Sequence, residues 1–203
     1  MKLAILICHA NERFSQFSHL MGELQKQRAP YVSEVGIFSI SDDCQMKVGM
    51  KRNDLVSYAS LFRAEYVTFI DDDDQVSRDY VKRIIGAIKA APGKDVYCYR
   101  VSYSDGAQHH GTPVYYSIKY SGRPKMETDS PRGPFLRTPN HLMVIRREIA
   151  EKCPFPEINN GEDAQFAKDI VKHIKSEYHI DEILYHYHHS AMTTLAQKKP
   201  YGK

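Results

Sequence analysis

The chain has 203 residues, 42% of them hydrophobic and 26% charged, a balance that excludes wholesale disorder and fits one ordinary domain with a core of its own. The longest early apolar run, residues 3–8, is far too short to cross a bilayer and lacks a secretory cleavage site, so the expectation is a cytoplasmic protein without a membrane span. Cys8, Cys44, Cys98 and Cys153 lie far apart with no C-x-x-C spacing, which excludes a disulfide framework and a zinc ribbon. The net charge of +3 hides a bias: Lys119, Arg123, Lys125, Arg132, Arg137, Arg146 and Arg147 face only Glu127 and Asp129 within residues 106–147, which suggests an anionic partner there.

In chain order, residues 2–8 form a continuous apolar run, as in a buried strand of a parallel sheet. Residues 11–27 place Phe14, Phe17, Leu20, Met21 and Leu24 at steps of three and four, the spacing of one helix face. A second strand is predicted over 34–40, a helix over 52–62, and a third strand over 66–70 that ends in Asp71, Asp72, Asp73 and Asp74. Helical spacing covers 79–90 and stops at Pro92 and Gly93, and 95–103 reads as a strand. This alternation predicts an open α/β sheet with helices on both faces, whose ligands sit at the carboxyl ends of its strands. His9, Ala10 and Asn11, then Asp42 and Asp43, then the aspartate run all fall at such ends. Residues 104–139 are rich in Gly, Pro, Ser and Tyr and read as long loops with a short strand over 115–120. A strand over 141–145, a helix over 164–176 and a last strand over 183–188 follow, and the tail after Thr194 is polar.

Four adjacent carboxylates at a strand end repel one another, and a hard divalent cation such as Mg²⁺ or Mn²⁺ relieves that repulsion; a solvated acidic helix start is the bland alternative. Glu162 and Asp163 after Gly161 form a second acidic pair, suited either to helix capping or to general-base work beside a metal. His186 and His188 share one face of the last strand, opposite His189, and one of them could complete a carboxylate-bound metal. His109 and His110 read as surface-loop residues. Lys51, Arg52 and Asn53 open a helix, where cations are poorly placed for the dipole; a phosphate is the natural partner of Arg52, and a plain surface role is the alternative. No phosphate loop, dinucleotide fingerprint or nucleophile elbow is present, which argues against a P-loop NTPase, a dinucleotide oxidoreductase and a serine hydrolase.

Taken in order, these pieces resemble glycosyltransferase family 2, the nucleotide-sugar-dependent enzymes of the GT-A fold. ILICHANER is similar to the family's first strand and nucleotide-binding turn, FSISDD to its second strand with a base-reading acid, and VGMKRNDLVSYA to its arginine-asparagine stretch. YVTFIDDDDQVSRDYV matches the D-x-D region, NNGEDAQF the acceptor-side E-D motif, and LYHYHHS the terminal strand with a metal-binding histidine. PNHLMVIRREI before FPEINNGED further resembles small single-domain members, many of them found in phages. The resemblance spans residues 2–190, most weakly 104–135.

It implies a Rossmann-like three-layer α/β fold of the GT-A type, with a central, mostly parallel mixed sheet flanked by helices. It also implies a single domain over 1–203: a nucleotide-sugar-binding half at 1–103, an acceptor-side half at 104–190 and a polar tail at 191–203. Its implied chemistry is metal-dependent, inverting transfer from a UDP-sugar to a hydroxyl. Cys8, His9, Ala10, Asn11, Asp43, Arg52, Asp71 and Asp72 would bind the nucleotide sugar, with Asp42 as the fallback base reader. Asp73 with His186 or His188 would hold Mn²⁺ or Mg²⁺, Asp163 would be the base, and Glu162 would place the acceptor. The acceptor is a carbohydrate or, as the alternative, a hydroxylated base in phage DNA held by the basic segment at 106–147. An idle nucleotide-binding module of the same fold and a metal-dependent nuclease or phosphatase are the competing readings.

Overall fold

The apolar run predicted near the start forms strand β1 (Leu3–Ala10), and its place explains its composition. It lies between two parallel neighbours, β2 (Val35–Asp42) and β3 (Tyr66–Phe69), with Leu3 opposite both Val35 and Tyr66. Residues 3–7 are wholly shielded from solvent, as expected of a strand covered on both faces. The computed structural model describes residues 1–106, 109–121, 127–128 and 134–189.

Beyond β3 the sheet is mixed. β3 runs antiparallel to β9 (Val144–Arg146), β9 to β5 (Val96–Ser104), and β5 to β6 (Thr112–Tyr116). β6 continues in parallel to β8 (Phe135–Arg137), which pairs antiparallel with the short β7 (Glu127–Thr128). On its other side β5 carries β10 (Glu177–His188) in parallel, and β10 pairs antiparallel with β4 (Gln75–Val76). Helices α1 (Phe14–Arg28) and α3 (Tyr80–Ala90) pack together, while α2 (Val48–Leu61), α4 (Arg147–Lys152) and α5 (Glu162–Ile170) form a separate group. The result is the expected α/β architecture of a mixed sheet flanked by helices. Its core is continuous from β1 through β3, β9 and β5, and α3 contributes Tyr80, Val81, Ile84, Ile85 and Ile88 to it.

Several boundaries differ from the sequence pattern, each for a local reason. α2 begins at Val48, not at Arg52, because the Asp42 carboxylate accepts the Met46 N–H at 2.6 Å and the Cys44 N–H at 3.2 Å and closes the preceding turn early. Lys51 and Arg52 therefore sit inside the helix, both buried, rather than opening it. α5 stops at Ile170 because the N–H groups of Lys175 and Ser176 are drawn to Asp95, at 2.9 and 3.0 Å, and turn the chain into β10. β10 starts six residues earlier than its apolar pattern suggests, and its register shifts between Ile180 and Tyr185 break the alternation that would have marked it. The strand expected over 115–120 is β6 at 112–116 followed by a 3-10 turn at 118–120, which Glu177 pins by accepting from the Ser117 hydroxyl and the Ile118 N–H, both at 2.8 Å. α4 follows β9 without a break. Arg123, Lys125 and Arg132 of the basic segment and the tail at 191–203 lie outside the described residues.

Candidate active site

Because β1, β2 and β3 are parallel, their carboxyl ends meet on one rim, and the three polar clusters read from the sequence come together there. The aspartate run forms a turn after β3 in which each carboxylate has a separate environment. Asp72 is buried and filled by its own chain: it takes the Ala10 N–H at 3.0 Å, the His9 Nδ1 at 3.0 Å and the Arg13 Nη1 at 2.6 Å. His9 is in turn stacked on Phe17, with ring centroids 4.0 Å apart. Asp74 is equally buried and receives the Tyr185 hydroxyl at 2.7 Å and the His188 N–H at 2.9 Å, and the Tyr185 oxygen accepts the Asp71 N–H at 3.1 Å. Burial first, then the charge of Asp71, pushes the Asp74 carboxyl well above the usual range. Asp74 and Tyr185 thus fasten the last strand to the turn.

Asp71 and Asp73 differ in sign. Burial alone would raise Asp71, but the His141 imidazole 3.7 Å away and the Arg52 guanidinium outweigh it and hold the acid below its ordinary value. Asp73 lies 3.0 Å from Arg13 Nη1, yet burial, reinforced by Asp71 and Asp72, raises it to about 6. One carboxylate in the turn is therefore left with excess negative charge, and a further cation would relieve it.

Arg52 links this turn to the second acidic motif. Its Nη2 donates to Asp71 Oδ1 at 3.1 Å, and its Nη1 lies 3.0 Å from Glu162 Oε1. The guanidinium carbon sits 5.3 Å from the Phe155 ring centroid and 5.7 Å from that of Phe69, in a site where its Nε has no hydrogen-bond partner among the described residues. Glu162 is consumed by this bridge, whereas its neighbour Asp163 is only partly buried and faces a cavity. Gly161 has φ of +86°, the left-handed conformation glycine adopts without strain, and it starts α5 so that both acids leave the first turn. The segment before it is clamped to α2: Asn53 exchanges hydrogen bonds with the Phe155 N–H and carbonyl at 2.8 and 2.9 Å, and the Gly49 N–H donates to the Ile158 carbonyl at 3.2 Å. A Cβ on Gly49 would fall 1.8 Å from the Pro156 carbonyl oxygen, so only glycine permits this approach.

Two cavities flank that bridge. The smaller, about 170 Å³, is walled by Cys8, His9, Ala10, Arg13, Lys51, the four aspartates and His188. The larger, about 410 Å³, is walled by Tyr103, Tyr116, Arg137, Asn140, His141, Asn159, Asn160 and Asp163, among others. Arg52, Asp71, Glu162, Tyr187 and His189 border both. Burial pushes the Cys8 thiol up to about 12, so it stays neutral.

Some expected residues lie apart. Asp43 is exposed at the rim and accepts from Asn11 Nδ2 at 2.5 Å, and neither lines a cavity wall. Asp42, the fallback base reader, is occupied by buried Lys51 and by the turn it closes. His186 borders neither cavity, while His188 and His189 do. Arg146 and Arg147 of the basic segment are held internally, Arg146 by Asp95 and the Lys94 carbonyl and Arg147 by the Ala64 carbonyl and Glu151. No group of three or more His, Cys, Asp or Glu side chains among the described residues is arranged to hold a metal ion, and no helix there is long and apolar enough to cross a membrane.

Sequence reasoning missed Arg13, Asn53, Tyr185 and His141 as site residues, and named Arg137 only as one of the basic residues of 106–147. Arg13 follows the β1 turn by three residues, and Asn53 adjoins Arg52, so position alone pointed to both. Nothing in the local pattern singled out Tyr185 or His141, whose places depend on contacts across the sheet.

Comparison with known proteins agrees with this fold. The chain is similar in fold to S. aureus TarS in complex with UDP (17% identity, TM-score 0.69, covering 93% of this chain and 60% of that one). It resembles TarS in complex with UDP-GlcNAc as well (14%, TM-score 0.69, 98% and 62%). A third similar structure is the mannosyltransferase PcManGT from Pyrobaculum calidifontis in complex with GDP-Man and Mn²⁺ (12%, TM-score 0.56, 92% and 56%). The chain thus spans about 60% of the length of these TarS chains. No curated protein matches it significantly. Residues 51–153, just over half of the chain, match the model of glycosyl transferase family 2, and this stretch carries Arg52, the aspartate turn and His141. The chain belongs to glycosyl transferase family 2.

Proposed function

We propose that this protein is a metal-dependent, inverting glycosyltransferase that moves a sugar from a UDP-sugar to a hydroxyl acceptor. The observation that carries the reading is the Arg52 bridge, which sets the aspartate turn and the Glu162, Asp163 pair against each other on the wall between two cavities. The smaller cavity suits the nucleotide diphosphate end and the larger one the acceptor. UDP, UDP-GlcNAc and GDP-Man with Mn²⁺ in the similar structures support a nucleotide-sugar donor.

The residues fit a divalent cation in a limited sense. Asp73 offers hard oxygens at the smaller cavity, with a charge that Arg13 offsets only in part, and His188 borders the same space, but they do not form a self-sufficient cage. Such a set suits Mn²⁺ or Mg²⁺ that arrives with the donor. When bound, the cation would stabilise the charge of the departing diphosphate as a Lewis acid. The chain does the rest. Asp72 and Asp74 are locked and shape the turn, Asp71 and Arg52 hold the partition, and Asn11 with Asp43 offers hydrogen-bonding groups at the rim where the base would lie.

Asp163 takes the proton from the acceptor hydroxyl as that oxygen attacks the anomeric carbon from the side opposite the diphosphate. The new glycosidic bond forms while the bond to the β-phosphate oxygen breaks, UDP leaves with the electron pair, and the anomeric configuration inverts. Acceptor-independent UDP release from UDP-sugars in Mn²⁺ tests the donor half. Transfer that Asp163→Asn leaves unchanged would remove Asp163 from its role.

A further inference from the structure

The larger cavity contains more than acceptor binding by uncharged contacts would need. Arg137, at the end of β8, borders it, is partly buried and forms no ion pair among the described residues; its close neighbour is the buried Tyr116 hydroxyl. Arg52, the other guanidinium on that wall, is by contrast matched by Asp71 and Glu162. On the same wall His141 is only 4% exposed, and its Nε2 stands 3.7 Å from the Asp71 carboxylate, so neither ring nitrogen has a partner at hydrogen-bond distance among the described residues. A guanidinium on a cavity wall with no acid partner among the described residues keeps N–H donors for a ligand, and a buried imidazole whose nearest partner is beyond hydrogen-bond distance gains from a further polar contact. The Asn140, Asn159 and Asn160 side chains and the stacked Tyr103 and Tyr187 rings, 5.7 Å apart, would already serve an uncharged sugar.

We propose that the larger cavity takes a saccharide acceptor carrying an anionic group, a phosphate or a carboxylate, near the hydroxyl that receives the sugar, with Arg137 reading that group. This rests on the glycosyltransferase reading above, in which Asp163 borders the same space. Arg137 matches a planar carboxylate or a phosphate through two parallel N–H donors, a pairing lysine cannot reproduce. His141 supplies a further polar contact on that wall. Arg137 is then a specificity residue, and its loss raises the acceptor KM more than it lowers kcat.

Titration calorimetry of the whole chain with glucose, glucose 6-phosphate, glucuronate and a short DNA duplex tests the proposal. The melting temperature of each variant serves as the folding control. At least one anionic sugar should bind about ten-fold or more tighter than glucose. Arg137→Gln should abolish that advantage, and Arg137→Lys should keep part of it. Preference for glucose 6-phosphate identifies a phosphorylated acceptor, and preference for glucuronate a uronate. No advantage of either anion over glucose, including no measurable binding of any sugar, overturns the proposal. So does an advantage that survives Arg137→Gln, or duplex binding that alone depends on Arg137. Failure here with acceptor-independent UDP release intact refutes this inference only, whereas absence of that release with every nucleotide sugar refutes the underlying reading.

Discussion

The two cavities on either side of Arg52 are built by opposite strategies. Around the smaller one, two of the four carboxylates are filled by donors from the chain itself, and the ion pairs of Arg13 and Arg52 reach three of them. Around the larger one, Asp163, Arg137 and His141 have no ion pair or hydrogen bond with one another, and much of the wall is aromatic rings and amides. On the proposed reading the smaller cavity takes the diphosphate, and fixed cations such as Arg13 and Lys51, held in place by the aspartates, need not rearrange during reaction. A pocket that selects among hydroxyl compounds gains from polar groups left for the ligand to satisfy.

The comparison can be broken at four points. The largest effect is expected from Asp163→Asn, which would remove the proposed base from the acceptor side only: transfer should fall about 10²–10⁴-fold while donor-induced stabilisation persists, a split read by steady-state kinetics beside thermal denaturation. Next is Arg52→Met, which leaves buried Glu162 and half-buried Asp71 without their common partner. It should cost about 3–5 kcal/mol in urea unfolding and impair both cavities together. Tyr185→Phe deletes one hydroxyl that donates to Asp74 and accepts from Asp71 N–H, so β10 should loosen from the turn at a cost of about 1–3 kcal/mol, with faster amide exchange at Asp71 and His188.

The smallest effect lies away from both cavities. Burial raises the Asp95 carboxyl, but the N–H groups of Lys175 and Ser176, the Ser176 hydroxyl and Arg146 outweigh it and hold the acid below its ordinary value. A depressed acid contributes stability above its unfolded pKa and loses it as pH falls through the folded value. The lead of the wild type over Asp95→Asn should be full at neutral pH and shrink below about pH 4, as read from urea midpoints. A lead that does not change with pH would show that Asp95 acts through packing alone.

What was legible in the sequence follows the range of the forces involved. Strands β1 and β3 announced themselves because a strand buried on both faces must be apolar throughout, and the aspartate turn was visible because it interrupts such a run. Glu162 and Asp163 were legible beside Gly161, whose positive φ is a local requirement. The α2 start was not, because Lys51 and Arg52 look misplaced until Asp42, Asp71 and Glu162 are brought beside them by the sheet. β10 was shortened in the reading because its first half is a polar, irregular strand whose pairing with β5 carries no local signature. The choice among His186, His188 and His189 was not legible because β10 ends at His188: His188 and His189 both border the cavity by the aspartates, although strict alternation would put them on opposite faces.

Thermal denaturation of the whole chain with a panel of nucleotide sugars, each with and without Mn²⁺, decides most directly whether the aspartate turn tethers a donor through a cation. For the wild type, one donor should raise the melting temperature only when Mn²⁺ is present, by several degrees at saturation. Asp73→Asn should lose that response, and Asp163→Asn should keep it. A shift of equal size without metal, or one that survives Asp73→Asn, would contradict the assignment of the turn as a metal-assisted donor site.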